Sequence, residues 1–437
     1  MSSAAKTEAS LPSFVILNPN FLLLWAAAGI SAVGDHLSEF ALLKQLGGME
    51  RDDTTRIRAL MQFGFFLPFP FVAPLAGWWA DKFSRKWTMF GSDVLRGVVM
   101  LSLIWAVPTM LAAGFGTYTV VVPLAMAGFL AAFFSPARQA LLPDLVKEDQ
   151  LVRANAMISA LGTIASIVSY GVGGWLAKHY SPSVNYQLDA LTFAISAVLV
   201  ASILMSRARP THHSAELAGF SAVTEGFRYV LSHRRILQMI LLGTVFWAAA
   251  GAVNSMIPAI VRDVFAGDLA DIGKYQGVMA IGLAAGAALM TIVGPKLPIP
   301  TAVMLTLFGA GFWVAVLCGA VVGRWPWWIC ATSFFFIGMH GAGLLITVMA
   351  TIQRFVPDSR RGRVCGVSDM MTMGAMVTAS GAIGLPNIPG LDRLIPYLLG
   401  VVAAGLLLAG VAAATLYSRR NGRVVARAAA AGAAGSR

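Results

Sequence analysis

Apolar runs long enough to cross about 30 Å of hydrocarbon, at about 1.5 Å per helical residue, recur along nearly the whole chain. They lie at 20–46, 60–80, 87–107, 117–137, 154–177, 186–206, 236–261, 275–295, 300–322, 327–352, 364–385 and 394–417. Backbone groups in hydrocarbon must be hydrogen-bonded within their own segment, so each run predicts a helix. With 57% hydrophobic and 12% charged residues, 437 residues have too little polar surface to cover a soluble globule. The expected fold is an all-α polytopic membrane protein with twelve transmembrane helices in two six-helix bundles.

The expected divisions are an N-terminal tail over 1–19, one bundle over 20–206, a connection over 207–235, a second bundle over 236–417 and a basic tail over 418–437. The connection holds Pro210, His212 and His213, then Phe220, Val223, Phe227, Val230 and Leu231 at helical spacing, which reads as an amphipathic helix on the membrane surface. Lys and Arg between spans resist crossing. Their excess falls on the segments holding Lys82 to Lys86, Arg138 to Arg153, Arg207 to Arg235, Arg354 to Arg363 and Arg419 to Arg437. Fewer lie opposite, among them Lys44, Arg56, Arg58, Lys178 and Arg262. Both termini are therefore expected in the cytoplasm and the chain in the plasma (inner) membrane. The net charge of +12 sits where anionic lipid would meet it, so membrane lipid is the expected partner and nucleic acid is not. Cys318, Cys330 and Cys365 offer neither metal spacing nor a disulfide pair, and the first run reads as an uncleaved anchor. No cofactor, metal or catalytic group is expected, and the expected form is a monomer.

An ionisable group inside such a run usually faces a cavity or a partner. Asp35, His36 and Glu39 lie about 22 to 28 Å along the first run, and Asp35 and Glu39 are one helical turn apart on a shared face. That arrangement can bind a proton or a cationic group; the alternative is a hydrogen-bonded packing Asp35 with Glu39 reaching solvent. Asp93 and Arg96, three residues apart, read as a structural ion pair. His340 is either a proton-coupling group or a packing histidine. Arg138 can reach lipid headgroups or attract an anionic solute, and Gln62 and Asn254 supply polar atoms for a cavity wall. Glycines at 171, 173, 174, 277, 282 and 286 suit close helix contact, and Pro68, Pro70 and Pro74 suit a bend.

Gly77-x-x-x-Asp81-Lys82-x-x-Arg85-Lys86, between the second and third runs, resembles the signature loop of the major facilitator superfamily. Trp79, Lys82 and Ser84 stand where that signature carries a small or aliphatic residue, Arg and Gly. Ser135-Pro136-Ala137-Arg138-Gln139-Ala140-Leu141-Leu142-Pro143, Arg153-Ala154-Asn155-Ala156, and Gln353-Arg354-Phe355-Val356-Pro357 with Arg361-Gly362-Arg363-Val364 narrow the resemblance. They are similar to the branch holding enterobactin-type siderophore exporters, macrolide exporters and bacterial lysophospholipid transporters. The resemblance covers residues 20–417 and implies two bundles that rock about a central route. It implies a cytoplasmic gate of Gly77, Asp81, Lys82, Arg85, Lys86 and Asp144, with Asp81 capping the eleventh span near Val364 and Arg85 pairing around Asp144. It also implies that Asp35, beside Gly34, faces the route.

The function expected is secondary active transport by alternating access, exporting a small amphipathic organic substrate of siderophore- or drug-like kind, with protons as the candidate coupling ion. No Walker A loop is present to use ATP. A lysophospholipid transporter or flippase is the alternative, for which Phe246-Trp247 and Met279-Ala280-Ile281-Gly282 speak. An intramembrane enzyme is disfavoured: Ala32-Val33-Gly34-Asp35 and Thr378-Ala379-Ser380-Gly381 each lack the leading glycine of a protease motif and a second reacting group.

Overall fold

The structure, a computed structural model, describes residues 18–46, 53–147, 150–204 and 220–434. The tail before Asn18 and the linker residues Arg207, Pro210, His212 and His213 lie outside the described residues, as do the side chains of Gly77 and Asp81. Span one is Pro19–Gly34 with Leu37–Gln45, and span two is Thr54–Phe66 with Phe69–Lys82. Spans three to six are Arg85–Ala112, Val121–Leu145, Leu151–His179 and Pro182–Ala201. A linker helix, Phe220–Ser232, precedes spans seven to twelve: Arg234–Phe265, Leu269–Val293, Ile299–Gly323, Trp327–Phe355, Asp358–Gly384 and Ile395–Ala434.

Among the described residues, ten helical segments are long and apolar enough to cross a membrane, where the sequence suggested twelve. Spans two and eleven are the exceptions. Span two is interrupted at Leu67 and Pro68, where proline supplies no backbone donor and the chain restarts with Pro70 in its first turn. Span eleven carries Asp358, Arg360, Arg361, Arg363 and Asp369, and it packs against spans two and seven and the linker helix. Span two also begins six residues earlier than its apolar run suggests, which takes Arg56 and Arg58 out of the expected loop and into the helix.

Packing repeats between the halves. Span one packs on five as seven packs on eleven, two on four as eight on ten, and three on six as nine on twelve. Across the halves, five meets eight and two meets eleven, the exchange that a two-fold relation requires. Between apolar helices in lipid, close backbone approach has to supply the cohesion. A Cβ on Gly128 would strike the Phe65 carbonyl of span two, and one on Gly282 would strike the Phe335 carbonyl of span ten, at matching contacts of the two bundles.

One end of the bundle carries the linker helix, Ser84 and Pro357; the other carries Asp53, Asp268 and Leu391. We call them the linker end and the far end. The linker helix does more than lie on a membrane surface. It buries Tyr229 and Val230, presses Gly226 against the Arg363 carbonyl, and pairs Glu225 with Arg363 and, at 3.6 Å, with Arg360. It is thereby fastened to the second half.

Candidate functional site

Span one breaks between Gly34 and Leu37, and the break decides where its acids point. Asp35 and Glu39, expected on one face, are turned apart. Asp35 Oδ1 lies 3.0 Å from Arg96 Nη1 of span three, whereas Glu39 Oε2 lies 2.7 Å from Arg58 Nη1 of span two. His36, at the break, stacks on Tyr170 at 4.3 Å and sits 3.5 Å from Glu39.

Arg96 is more than half of a local pair. Its guanidinium donates to Asp35, to Asp93 Oδ1 at 2.5 Å and to Ser31 Oγ at 3.0 Å, with the Phe193 ring 4.3 Å away. Asp93 also accepts from Ser196 Oγ. The buried cation is thus shared by two acids, and the Asp35 side chain remains 35% exposed. Asp189 of span six lies in the same cluster, fully buried.

The polar contacts that cross between the halves gather at the far end. Asn254 Oδ1 accepts from Arg58 Nη2 at 3.1 Å, which extends the Glu39 pair into span seven. Ser255 Oγ donates to Gln62 Oε1 at 3.0 Å one helical turn deeper. Asp392, just before span twelve, accepts from the backbone N–H groups of Thr54 and Thr55 at 3.1 Å each and from Arg262 Nη2 at 3.0 Å. A carboxylate on the free N–H groups of a helix start is favoured by the helix dipole as well as by the hydrogen bonds. Arg56 donates to the Gly384 carbonyl at 3.1 Å, and Tyr118 donates to the Leu385 carbonyl at 2.9 Å. Lys178 pairs with Asp268 at 2.6 Å, but both side chains are over 40% exposed, so solvent screens this contact. Burial pushes the Asp268 carboxyl up, yet the Lys178 ammonium and the N–H groups of Ala270 and Asp271 outweigh it and hold it below the usual carboxylate range.

Close backbone contact adds to the polar contacts at the far end. At the far end a Cβ on Gly174 would lie 2.6 Å from the Leu269 carbonyl, and one on Gly273 would strike the Tyr170 carbonyl. Elsewhere an added Cβ meets nothing within 4 Å at Gly162 and Gly171 of span five and at Gly366 and Gly374 of span eleven, so open space beside a glycine is not confined to one end. The polar contacts described between the halves thus lie at the far end. Gly273→Ala is expected to weaken the seal by about 1–3 kcal/mol, because the extra methyl meets backbone that cannot rotate away. Raised thiol labelling at a cysteine introduced at Tyr170 is the check, and unchanged labelling would show that the contact bears no load.

At the linker end Arg85 Nη1 donates to Asp144 Oδ2 at 2.7 Å and to the Ala140 carbonyl at 2.9 Å. Lys86 donates to the Ile203 carbonyl at 2.8 Å. These contacts stay within the first half. Lys82 and Asp81 belong to the helical end of span two. The expected Asp81 cap near Val364 falls on a side chain outside the described residues.

His340 does not join the other candidates: its ring fills the space above Gly309 of span nine, where a Cβ would collide with it. Arg138 is half-buried and has no hydrogen-bond partner among the described residues; Asp35 is the carboxylate that acts on it. Asp369, which sequence reasoning passes over, lines a groove between spans seven, ten and eleven with Trp247, Leu344, Val348, Met349 and Met373. Its carboxylate has no hydrogen-bond or ion-pair partner among the described residues. A lone acid within an apolar run was the available signal, as it was for Asp189. Arg262 and Asp392 gave none, since only the fold brings them to the start of span two.

A family model described as Major Facilitator Superfamily matches residues 54–381. Macrolide efflux protein A of Streptococcus pyogenes is 24% identical over 318 residues, covering 69% of this chain and 77% of that one. Lysophospholipid transporter LplT of Pectobacterium carotovorum is 25% identical over 389 residues, covering 86% and 88%. Among solved structures, a mutant of the nucleoside transporter NupG superposes with a TM-score of 0.72 at 13% identity, over 91% of this chain and 100% of that one. A bacterial homologue of the iron transporter ferroportin in an inward-facing state gives 0.64 at 15% identity, over 91% and 98%. The matched region takes in most of both halves, and the fold agrees: this chain belongs to the Major Facilitator Superfamily and is an integral membrane transporter of small solutes.

Proposed function

We propose that the chain is a proton-coupled secondary transporter that exports an amphipathic organic solute by alternating access, as a monomer in the plasma (inner) membrane with both termini cytoplasmic. The observation that carries this reading is the line of polar contacts that closes the halves at the far end, from which we infer a linker end that opens in the same state. On the Lys and Arg distribution the linker end is cytoplasmic, so the open side is the side from which an exporter loads. Export rather than uptake is supported by the similarity to a macrolide efflux protein. The groove at Asp369 supports a solute with an apolar body and a positive charge, because apolar walls around one unpaired carboxylate favour that combination. Arg85 with Asp144, together with Gly77, Asp81, Lys82 and Lys86, would form the opposing gate when the linker end closes.

Catalysis has no support at the two sites where a motif was sought. Asp35 is committed to Arg96, and Ser380 Oγ is buried with no hydrogen-bond partner, hence no base, among the described residues. Lysophospholipid transport is the second reading, favoured by the similarity to LplT over 86% of the chain.

The test is transport into proteoliposomes of a macrolide, tetraphenylphosphonium and a labelled lysophospholipid, each with and without a pH gradient. Gradient-driven movement of either cation is expected. Asp369→Asn is expected to weaken cation binding about 10- to 100-fold, the range for losing one charge-assisted contact. Lysophospholipid transport that ignores the gradient, with neither cation carried, would replace the first reading by the second.

A further inference from the structure

We propose that Asp189 is the residue that carries the coupling proton, held as the neutral acid while the far end is closed. This rests on the proton-coupled reading above and deepens it, since Asp35 is the group that sequence alone suggested for that role.

Asp189 is 1% exposed. Its Oδ2 is hydrogen-bonded to Ser38 Oγ, and its Oδ1 is buried with no partner among the described residues. The charged groups around it are already committed. From span one, Asp35 is paired with Arg96, Glu39 with Arg58, and Lys44 donates to the carbonyls of Ala177 and Tyr180. From span three, Arg96 is shared between Asp35 and Asp93, and Asp93 takes a further hydrogen bond from Ser196 of Asp189's own helix. From span five, Tyr170 stacks on His36, Lys178 pairs with Asp268, and His179 is bonded to the Trp175 carbonyl. Tyr186, one turn earlier on span six, donates to Gln45.

Two aspartates therefore hold the one guanidinium, and Asp189 has no cation of its own among the described residues. A fully buried carboxylate with no cation and one hydroxyl would cost several kcal/mol, far more than leaving one neutral carbonyl oxygen bare. Protonated, the acid O–H donates to Ser38 Oγ and the charge problem disappears.

The position links that proton to the far-end seal. Asp189 Oδ1 lies against Gly34, where an added Cβ would sit 2.6 Å away, immediately before the break in span one. Ser38, on the other side of the break, is next to Glu39, which anchors the contact with Arg58 and Asn254. When Asp189 gives up its proton toward the linker side, the new carboxylate competes with Asp35 for Arg96. Asp35 can release the guanidinium because its partly exposed carboxylate can be hydrated. That exchange draws on both sides of the break and loosens Glu39. The proton moves inward as the far end opens to discharge the solute, and charge in the cluster is conserved apart from the one proton lost.

The experiment uses the full chain in lipid nanodiscs, spin-labelled at Ser181 and Arg324, which lie in far-end turns of opposite halves. Raising the pH from about 5 to about 8 is expected to increase the far-open population of the wild type about tenfold, since deprotonation favours opening. Asp189→Asn, which mimics the neutral acid, is expected to stay closed throughout. A pH response in Asp189→Asn equal to that of the wild type overturns this proposal alone. A flat wild-type response overturns it together with proton coupling. Independently of any variant, wild-type protein carrying 13C-labelled aspartate is expected to show a protonated-carboxyl infrared band at neutral pH, and absence of any such aspartate band overturns the assignment.

Discussion

Arg58→Met is expected to shift the resting equilibrium toward the far-open form by about 100-fold, equivalent to about 2.7 kcal/mol. Within the closed seal the substitution leaves Glu39 without its cation and Asn254 without its donor. In the far-open form both groups regain water, so the loss falls on one side of the equilibrium. Removing one partner of a buried pair usually costs more, about 3–5 kcal/mol, but the Glu39 side chain keeps 24% exposure and part of the penalty is relieved. Methionine keeps most of the aliphatic stem in place, which separates the charge effect from packing. Far-end distances measured with the Ser181 and Arg324 labels read the shift directly.

Asp392→Asn is expected to act in the same direction with about 2 kcal/mol, roughly a 30-fold shift. The carboxylate accepts from two N–H groups at the start of span two and from Arg262, and its residue is 6% exposed. An amide oxygen keeps some of these bonds but loses the charge that the helix start and the guanidinium favour. Lys178→Ala, at the exposed pair with Asp268, makes the contrast: it should leave the equilibrium nearly unchanged, because solvent screens that pair. If Lys178→Ala opened the far end as much as Asp392→Asn, burial would not be what gives the seal its strength.

Helix identity was legible because hydrocarbon leaves the backbone no alternative, so each apolar run had to become a helix. The boundaries were less so. Arg56 and Arg58 look like loop cations to any reading that lets charge end a span, yet in the fold each finds an acceptor and extends span two to Thr54. The break at Asp35 was invisible because Asp35 and Glu39 fit a continuous helix in spacing; their partners, Arg96 and Arg58, sit on different spans and pull them apart. Asn254 and Gln62 stand out in the sequence as polar groups for a cavity wall, and in the fold each takes a contact between the halves, Asn254 from Arg58 and Gln62 from Ser255. The resemblance to a signature loop drew attention to a latch at the linker end. The described polar contacts between the halves are at the opposite end, where Asp392 does for span two what Asp81 was expected to do for span eleven.

The most direct measurement is a pair of distance distributions on resting protein in lipid nanodiscs, one from labels at Ser181 and Arg324 and one from labels at Asn155 and Gln353 near the linker end. A short far-end distance with a long linker-end distance is expected, and Arg58→Met should reverse the two. A resting wild type that is short at the linker end and long at the far end, or an Arg58→Met protein indistinguishable from it, would contradict a polar seal at the far end as the element that decides which side is open.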